Sequence, residues 1–537
     1  MSTKYPLIIL IKQEVATMSK YLMAIDAGTG SVRAVLFDTL GNQLFVSQQE
    51  WEHKEDPRYP GSMDFDWVHN WELAYGCVRD VMKESGIDPT KIAGIATTSM
   101  REGIVLYDKN GKEIWACANV DARSVGEVSE LKAISESLEK EIYLPSGQTY
   151  ALGALPRILW VKNHLPEVYE NTATVTMFND WLIAKLTGVL TAEPSNGCTT
   201  GIFDLAKRAW LPEISKKCGL KTDIFPPVFE SGTVVGKVTA AVAALTGLAE
   251  GTPVVTGGGD AQLGSVGVGV VEPNQAAVFG GSFWQFEFNT NVAKTDDQCR
   301  VRVNCHAVPG LWQYEALAFY PGLIMRWYRD GFCQLEKAEG EKAGKDPYYL
   351  MDQEAEKIPA GSYGMMCTFS DVMNFISWRH AAPAFVNFAL DPQKFNRYTF
   401  YRAIMENACM VTKGNLELVS DVTGNLPEEI VFAGGASKSP VWCQILADVL
   451  GLKVRVPKIK EATALGAAIA AGVGVGIYVN MSEAAKQLVK WDAEYTPNAE
   501  NHATYSKLYD TWRTVYAANL SLSDQKLTNY MWVAPGL

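Results

Sequence analysis

Paired cysteines, histidine clusters and a basic face are all missing from this chain. Ten cysteines are scattered singly through 537 residues, with no C-x-x-C and with none of the six histidines at zinc spacing. That excludes the common zinc modules, and the cysteines read as reduced, mostly buried thiols of a reducing compartment, the cytoplasm. Lys and Arg number 48 against 60 Asp and Glu, a net charge of −12. The clustered cations that hold duplex phosphates are therefore lacking, and nucleic acid is excluded as a partner. Long apolar runs are lacking too. Pro6 to Ile11 is far too short to span a bilayer, and acidic and polar residues follow where a leader would be cleaved. No membrane partner is expected. What is present is ordinary globular composition, 47% apolar and 20% charged, in a chain long enough for two substantial domains. A small diffusing substrate suits such a surface.

Two familiar nucleotide signatures are also absent. No Gly-Lys is followed by Ser or Thr, so there is no Walker A loop, and Gly28 and Gly30 are followed by Arg33 where a dinucleotide fingerprint needs a third glycine. In their place, a short apolar strand twice runs into a small glycine turn, at Ile25 to Arg33 and at Ala277 to Trp284. Backbone N–H groups in such turns approach phosphate closely, and Thr29, Ser31 and Ser282 add hydroxyl donors. Two half-sites imply one nucleotide held between two domains.

The pattern from Tyr21 to Val46 is strand, glycine turn, strand, turn, strand, followed by helical spacing from Asp66 to Glu84 with Asp64 or Asp66 as cap. A buried strand is expected at Ile92 to Thr98, and alternating strands and helices continue to about residue 260, ending in Pro253 to Thr256 and Gly257-Gly258-Gly259. The small, glycine-rich residues 262–275 read as a hinge. Beyond it, strand 276–280, turn 280–282 and strand 283–288 repeat the opening of the chain. Helices are expected at about 315–336, 398–420 and 439–450, with a strand from Glu429 to Phe432 and a solvated, lysine-rich segment at 333–362. The resulting division is an extension at 1–19, an N-terminal domain at 20–265 and a C-terminal domain at 266–537.

Several residues carry two readings each. Asp26 ends a strand beside the first turn, where a carboxylate either faces a cation or hydrogen-bonds its own hairpin. Asp260 follows three glycines at a strand end, placed either as a proton acceptor for phosphoryl transfer or as a helix cap. Arg101-Glu102 and Asp121 with Arg123 sit at strand ends, suited to a polyhydroxylated substrate or to structural ion pairs. Val431 to Ser439 is a strand, glycine turn and helix start, either facing a nucleotide or packing helix on sheet. Lys460 to Gly472 is a small-residue helix whose main role is tight packing. Phe178 to Leu182 and Pro194 to Gly201 read as further loops around the same cleft.

In this order the segments resemble the FGGY family of carbohydrate kinases, and the likeness runs from residue 20 through nearly the whole chain. Its most specific stretches are Ser99 to Tyr107, Trp115 to Arg123, Met325 to Asp330 and Ala534 to Leu537. The resemblance implies an α/β fold of two actin/Hsp70-like, ribonuclease H-like domains with a nucleotide cleft between them, using ATP and Mg2+. It implies ATP-dependent phosphorylation of 4,5-dihydroxy-2,3-pentanedione, the open form of a quorum-sensing signal, at its terminal hydroxyl. A pentulose, hexulose or sugar alcohol is the alternative acceptor, and a non-catalytic sugar and ATP sensor the distant one. Carried to matching positions, the family pattern makes Asp260 the catalytic base and places Asp26 and Asp260 near the metal. Thr29, Gly30, Ser31, Arg33, Gly281 and Ser282 fall at the phosphates, and Gly434, Gly435 and Ser437 near the adenosine. Arg101, Glu102, Asp121, Gln262 and Trp284 fall at the substrate, with Trp284 either covering it or packing the hinge. Glycerol kinases have Gln directly after the base, whereas here Ala261 stands between Asp260 and Gln262. A homodimer and a regulatory protein of the sugar phosphotransfer system are the partners left open.

Overall fold

The computed structural model describes residues 20–537, so the extension expected at 1–19 lies outside the described residues. Strands β1 (Tyr21–Ala27), β2 (Ser31–Asp38) and β3 (Gln43–Glu50) form an antiparallel meander, and β4 (Ile92–Ser99) pairs parallel with β1 on its other side. β5 (Val234–Lys237) and β6 (Pro253–Gly259) complete a six-stranded sheet of order β5-β6-β4-β1-β2-β3, with β6 parallel to β4. β1 reads as a nearly continuous apolar run because helices cover both faces of the sheet, so alternation would bury polar groups.

The second half repeats the scheme with β7 (Ala276–Gly280), β8 (Trp284–Thr290), β9 (Arg302–Cys305), β10 (Trp312–Phe319), β11 (Glu429–Ala433), β12 (Lys453–Pro457) and β13 (Trp491–Tyr495). Their order is β9-β10-β8-β7-β11-β12-β13. β7 is antiparallel to β8 and parallel to β11, β11 is parallel to β12, and β13 closes the edge antiparallel. Both sheets therefore carry a meander, two parallel crossover strands and an antiparallel edge strand. This is the duplicated actin-like, ribonuclease H-like α/β fold.

Four helices position the site: α1 (Trp67–Ser85), α2 (Asp260–Gly267), α3 (Arg397–Thr423) and α4 (Ala462–Gly474). Asp66 caps α1 by accepting from the His69 N–H at 3.0 Å, and Gly86 ends it in the left-handed region at φ 61°. α4 belongs to the second half in sequence but packs on the first sheet, where Leu465, Ala468 and Ile469 meet Leu22, Ala24, Ala96 and Val255. Its small residues let it cross α2 with backbones in contact. A Cβ on Gly466 would lie 1.9 Å from the Leu263 carbonyl oxygen, and one on Gly267 would lie 1.8 Å from that of Ala462. The two halves are riveted where each sends a helix from the sixth strand of its sheet, β6 into α2 and β12 into α4.

Three expectations are corrected. Residues 262–275 do not form a hinge loop throughout, because Asp260–Gly267 is helical and fixed by the crossing with α4. The helix expected at 315–336 begins only at Pro321, since Gln313 and Glu315 alternate with apolar residues in β10 and the proline starts the helix at its first position. Phe178 to Leu182 opens the buried helix Phe178–Thr187, and Pro194 to Gly201 is a buried helical turn, so neither segment is an open loop.

Gly466→Val forces the α2 and α4 backbones apart and is expected to lower stability by about 3 kcal/mol or more, as for other overpacked contacts. A urea midpoint equal to wild type would contradict the close crossing.

Candidate active site

Because β1, β4 and β6 are parallel, their C-terminal ends share one edge. Asp26 and Gly258 both register with Thr98 across the central strand, so they are separated by two strand spacings, about 10 Å, and α2 starts two residues after Gly258. Asp260, the first residue of α2, keeps 42% of its side chain open, and its carbonyl accepts from the Thr463 hydroxyl at the start of α4 at 3.3 Å. The first glycine turn projects from the same edge. Thr29 Oγ1 accepts from Asn119 Nδ2 at 3.0 Å, and its carbonyl is held by Trp51 and His53. Nothing lies within 4 Å of where a Cβ on Gly30 would stand. In the second half, Gly281 and Ser282 are exposed, as are Gly434 and Gly435. Gly434 needs its left-handed φ of 95°, and a Cβ there would lie 2.7 Å from the Gly280 carbonyl, so these two turns touch. Ser437 donates to the Gly434 carbonyl at 2.9 Å and closes the turn.

The floor between the two halves is a chain of buried charge. Glu102, held at φ 66°, receives a hydrogen bond from Arg302 at 2.6 Å. Arg302 also pairs with Glu315 at 3.1 Å, Glu315 pairs with Arg101, and Arg101 reaches Asp260 at 3.4 Å. Arg101, Glu102 and Asp260 come from the first half, Arg302 and Glu315 from the second. Burial opposes ionisation of Glu315, yet the Arg101 and Arg302 guanidiniums hold its carboxyl below the usual range. Asp260 shifts the other way: burial raises it, Arg101 pulls it down, and the Glu102 and Glu315 charges push it up. Asp260 Oδ1 accepts from the Ala261 N–H at 2.8 Å and faces Arg101, and a carboxylate raised by burial in this way is a stronger base than one in water. Asp26 is pushed up to about 7 by burial, against the pull of Arg33 and with help from Asp260 and Glu461.

Other expected residues stand elsewhere. Trp284 is completely buried on the far face of β8, stacked on Trp442 at 5.0 Å and donating to Thr412 of α3, so it packs the second core and does not cover a substrate. Gln262 is buried between the halves and donates to Gln313 at 3.0 Å. The Asp121 carboxylate accepts from the Met63 N–H at 2.6 Å and from Arg123 at 2.8 Å, which leaves it structural partners on both oxygens. Arg33 lies between Asp26 at 3.4 Å and Glu461 at 2.5 Å, so its charge is committed to carboxylates and not free for phosphate. The Glu102 carboxylate likewise faces Arg302.

Two family models match this arrangement, the N-terminal domain of the FGGY family of carbohydrate kinases over residues 21–267 and the C-terminal domain over residues 289–475. The chain belongs to the FGGY family of carbohydrate kinases. Among curated relatives it is 52% identical over 518 residues to the autoinducer-2 kinase of Enterobacter sp. (strain 638), covering 96% of this chain and 98% of the relative. It is 51% identical over 518 residues to the autoinducer-2 kinase of Escherichia coli (strain K12), with the same coverage. Among solved structures, xylulose kinase from Rhodospirillum rubrum superposes with a TM-score of 0.81 at 24% identity over 93% of this chain and 99% of that one. Glycerol kinase from Plasmodium falciparum with ADP gives 0.80 at 19% identity over 93% and 98%. ATP is the phosphoryl donor of such kinases. A magnesium ion would take its protein donors from Asp26 and Asp260, hard carboxylates at one sheet edge, each raised by burial against the pull of one neighbouring guanidinium. No cluster of three or more His, Cys, Asp or Glu side chains placed to hold a metal occurs among the described residues. Mg2+ needs only one or two protein carboxylates and completes its shell with water and phosphate.

Sequence reasoning missed four buried residues of this FGGY site. Arg157 donates to the Glu102 carbonyl at 2.7 Å and to those of Asn119 and Asp121 at 2.7 and 3.1 Å, tying both substrate-side loops together. Arg302 and Glu315 form the charge chain. Glu287, opposite Glu315 in register, has no partner on either oxygen, and burial with the Glu315 charge holds its carboxyl well above the usual range. The available signal was a lone charge inside an apolar segment, as in Leu155-Pro156-Arg157-Ile158 and Phe286-Glu287-Phe288.

Arg302→Leu leaves Glu102 and Glu315 with Arg101 alone, and the expected cost is about 3–5 kcal/mol. Denaturant unfolding reads it, and replacing Glu315 by Leu in the same protein should recover part of the loss.

Proposed function

We propose that this chain transfers the γ-phosphoryl group of ATP to the terminal hydroxyl of autoinducer-2 in its open form, 4,5-dihydroxy-2,3-pentanedione, in the cytoplasm. The observation that carries the reading is identity of about half of all positions, over nearly full length, to curated autoinducer-2 kinases. It is supported by a cleft that puts an open carboxylate, Asp260, beside a buried arginine, Arg101, at the edge from which the phosphate turns project.

In this reading the two glycine turns and the turn at Gly434 hold ATP across the cleft. The acceptor hydroxyl stands between the γ-phosphorus and the Asp260 carboxylate. As the new O–P bond forms and the bond to ADP breaks, Asp260 takes the hydroxyl proton. Arg101, anchored on Glu315, keeps Asp260 oriented and ionised and presents its remaining N–H groups to the substrate oxygens. Asp26 and Asp260 would hold Mg2+, which neutralises phosphate charge when bound. Closure of the cleft keeps water from competing for the phosphoryl group.

Asp260→Ala is expected to lower turnover by about 10²- to 10⁴-fold with folding intact. ADP release and product mass with the diketone, set against xylulose, glycerol and erythritol, test the acceptor. Preference for any of the latter three overturns the assignment, as does recovery of an unmodified diketone after incubation.

A further inference from the structure

The strand that delivers Asp260 is irregular. Between Val255 and Gly258 the pairing of β6 with β4 slips by a residue, and a Cβ on Gly257 would stand 1.7 Å from the Thr97 carbonyl oxygen. Such a bulge takes backbone groups out of the ladder, and they need other partners. Two serines supply them. Ser195 Oγ accepts from the Gly259 N–H at 2.9 Å, and Ser231 Oγ donates to the Gly257 carbonyl. Both serines converge on one side chain. Ser195 donates to Glu193 Oε2 at 2.6 Å, and Ser231 Oγ lies 3.0 Å from Glu193 Oε1. Glu193 is completely buried, and a Cβ on Gly258 would stand 2.6 Å from Ser195 Oγ and 3.2 Å from Glu193 Oε2. The glycine run is thus pressed between Thr97 on one side and the Glu193 pair of serines on the other.

Ser231 Oγ touches both the Gly257 carbonyl and Glu193 Oε1 with one hydrogen to give, and that sets the protonation state the clamp needs. The Gly257 carbonyl can only accept, so the single hydroxyl proton of Ser231 is spent on it. The contact between Ser231 Oγ and Glu193 Oε1 then needs its hydrogen from the carboxyl. Burial agrees, pushing Glu193 up to about 7. Against burial, the hydroxyl and N–H of Ser195 favour the ionised form, and the Asn196 N–H also donates to Oε2 at 3.1 Å; Arg208 pulls the value down too and Glu230 pushes it up, while Asp180 and the Cys305 thiol lie within its field. Arg208 is itself paired with Glu230 at 2.7 Å, which blunts its pull.

We infer that Glu193, as a neutral carboxylic acid, is a positioning residue that grips both ends of the Gly257–Gly259 backbone through Ser195 and Ser231 and so aims the Asp260 carboxylate. The inference rests on Asp260 being the base. Ionisation of Glu193 removes the hydrogen that Ser231 needs, so kcat should fall as pH rises through about 7. Loss of aim costs turnover and not ATP affinity, because the phosphate turns are on other segments.

The test compares Glu193→Ala, Glu193→Gln, Ser195→Ala and Asp260→Ala with wild type, reading kcat and the KM for ATP with the diketone from pH 5.5 to 9 and folding by circular dichroism. Glu193→Ala and Ser195→Ala should lose about 10- to 100-fold in kcat with unchanged KM for ATP, the penalty of a displaced reacting group. Gln, which donates and accepts where the neutral acid does, should restore kcat and abolish the fall above pH 7. Wild-type kcat in folded Glu193→Ala, with Asp260→Ala inactive, overturns the clamp alone, as does an unchanged alkaline fall in Glu193→Gln. Full turnover in Asp260→Ala overturns the base reading itself. Should Glu193→Ala not fold, wild-type kcat in Ser195→Ala overturns the clamp.

Discussion

The chain of alternating charge Glu102, Arg302, Glu315, Arg101 and Asp260 is the constraint on which the cleft depends. Each guanidinium sits between two carboxylates, and each bridges the halves at least once. Charges removed from water are costly unless paired, so the two halves must meet in the register that pairs them. Glu287, the acid left without a cation, resolves the excess by keeping its proton. The same chain that joins the halves ends on the open carboxylate of Asp260, so structural registry and chemical aim share one set of side chains.

Around that chain, backbone proximity does the rest of the positioning. α2 and α4 cross at Gly267 and Gly466 with no side chain between them, which locks the first turn of α2, and hence Asp260, to the start of α4. The bulged glycines of β6 allow an equally close approach from Thr97 and the serines. A site built on helix starts and strand ends of two packed sheets is held more tightly than one built on loops. Gly30, Gly281, Ser282 and Gly434, in the glycine turns at this edge, are exposed.

Local pattern was readable where the signal is local. The meander from Tyr21, the Asp66 cap, the strand at Ile92 and the repeat at Ala276 all follow from periodicity and turn residues within a dozen positions. The end of β10 reads as the start of a helix because Ala316 to Phe319 is continuously apolar, and only its pairing with β8 and β9 decides. Trp284 was ambiguous for a similar reason: an aromatic beside a glycine turn has two faces to choose from, and the pleat of β8 turns it to the core.

By itself the sequence determined the fold class, the duplicated strand-turn-strand opening, and a pair of carboxylates at strand ends beside glycine turns. These are short-range properties, written in spacing and residue type. Tertiary structure alone decided that Arg33 is taken by Asp26 and Glu461, that Asp121 serves Met63 and Arg123, and that Arg157, Glu287, Arg302 and Glu315 line the cleft floor at all. The reason is physical: the partner that gives a charged side chain its role, or takes it away, lies across a sheet or a domain boundary, and the free energy of burial and pairing depends on that neighbour and not on the adjacent residues.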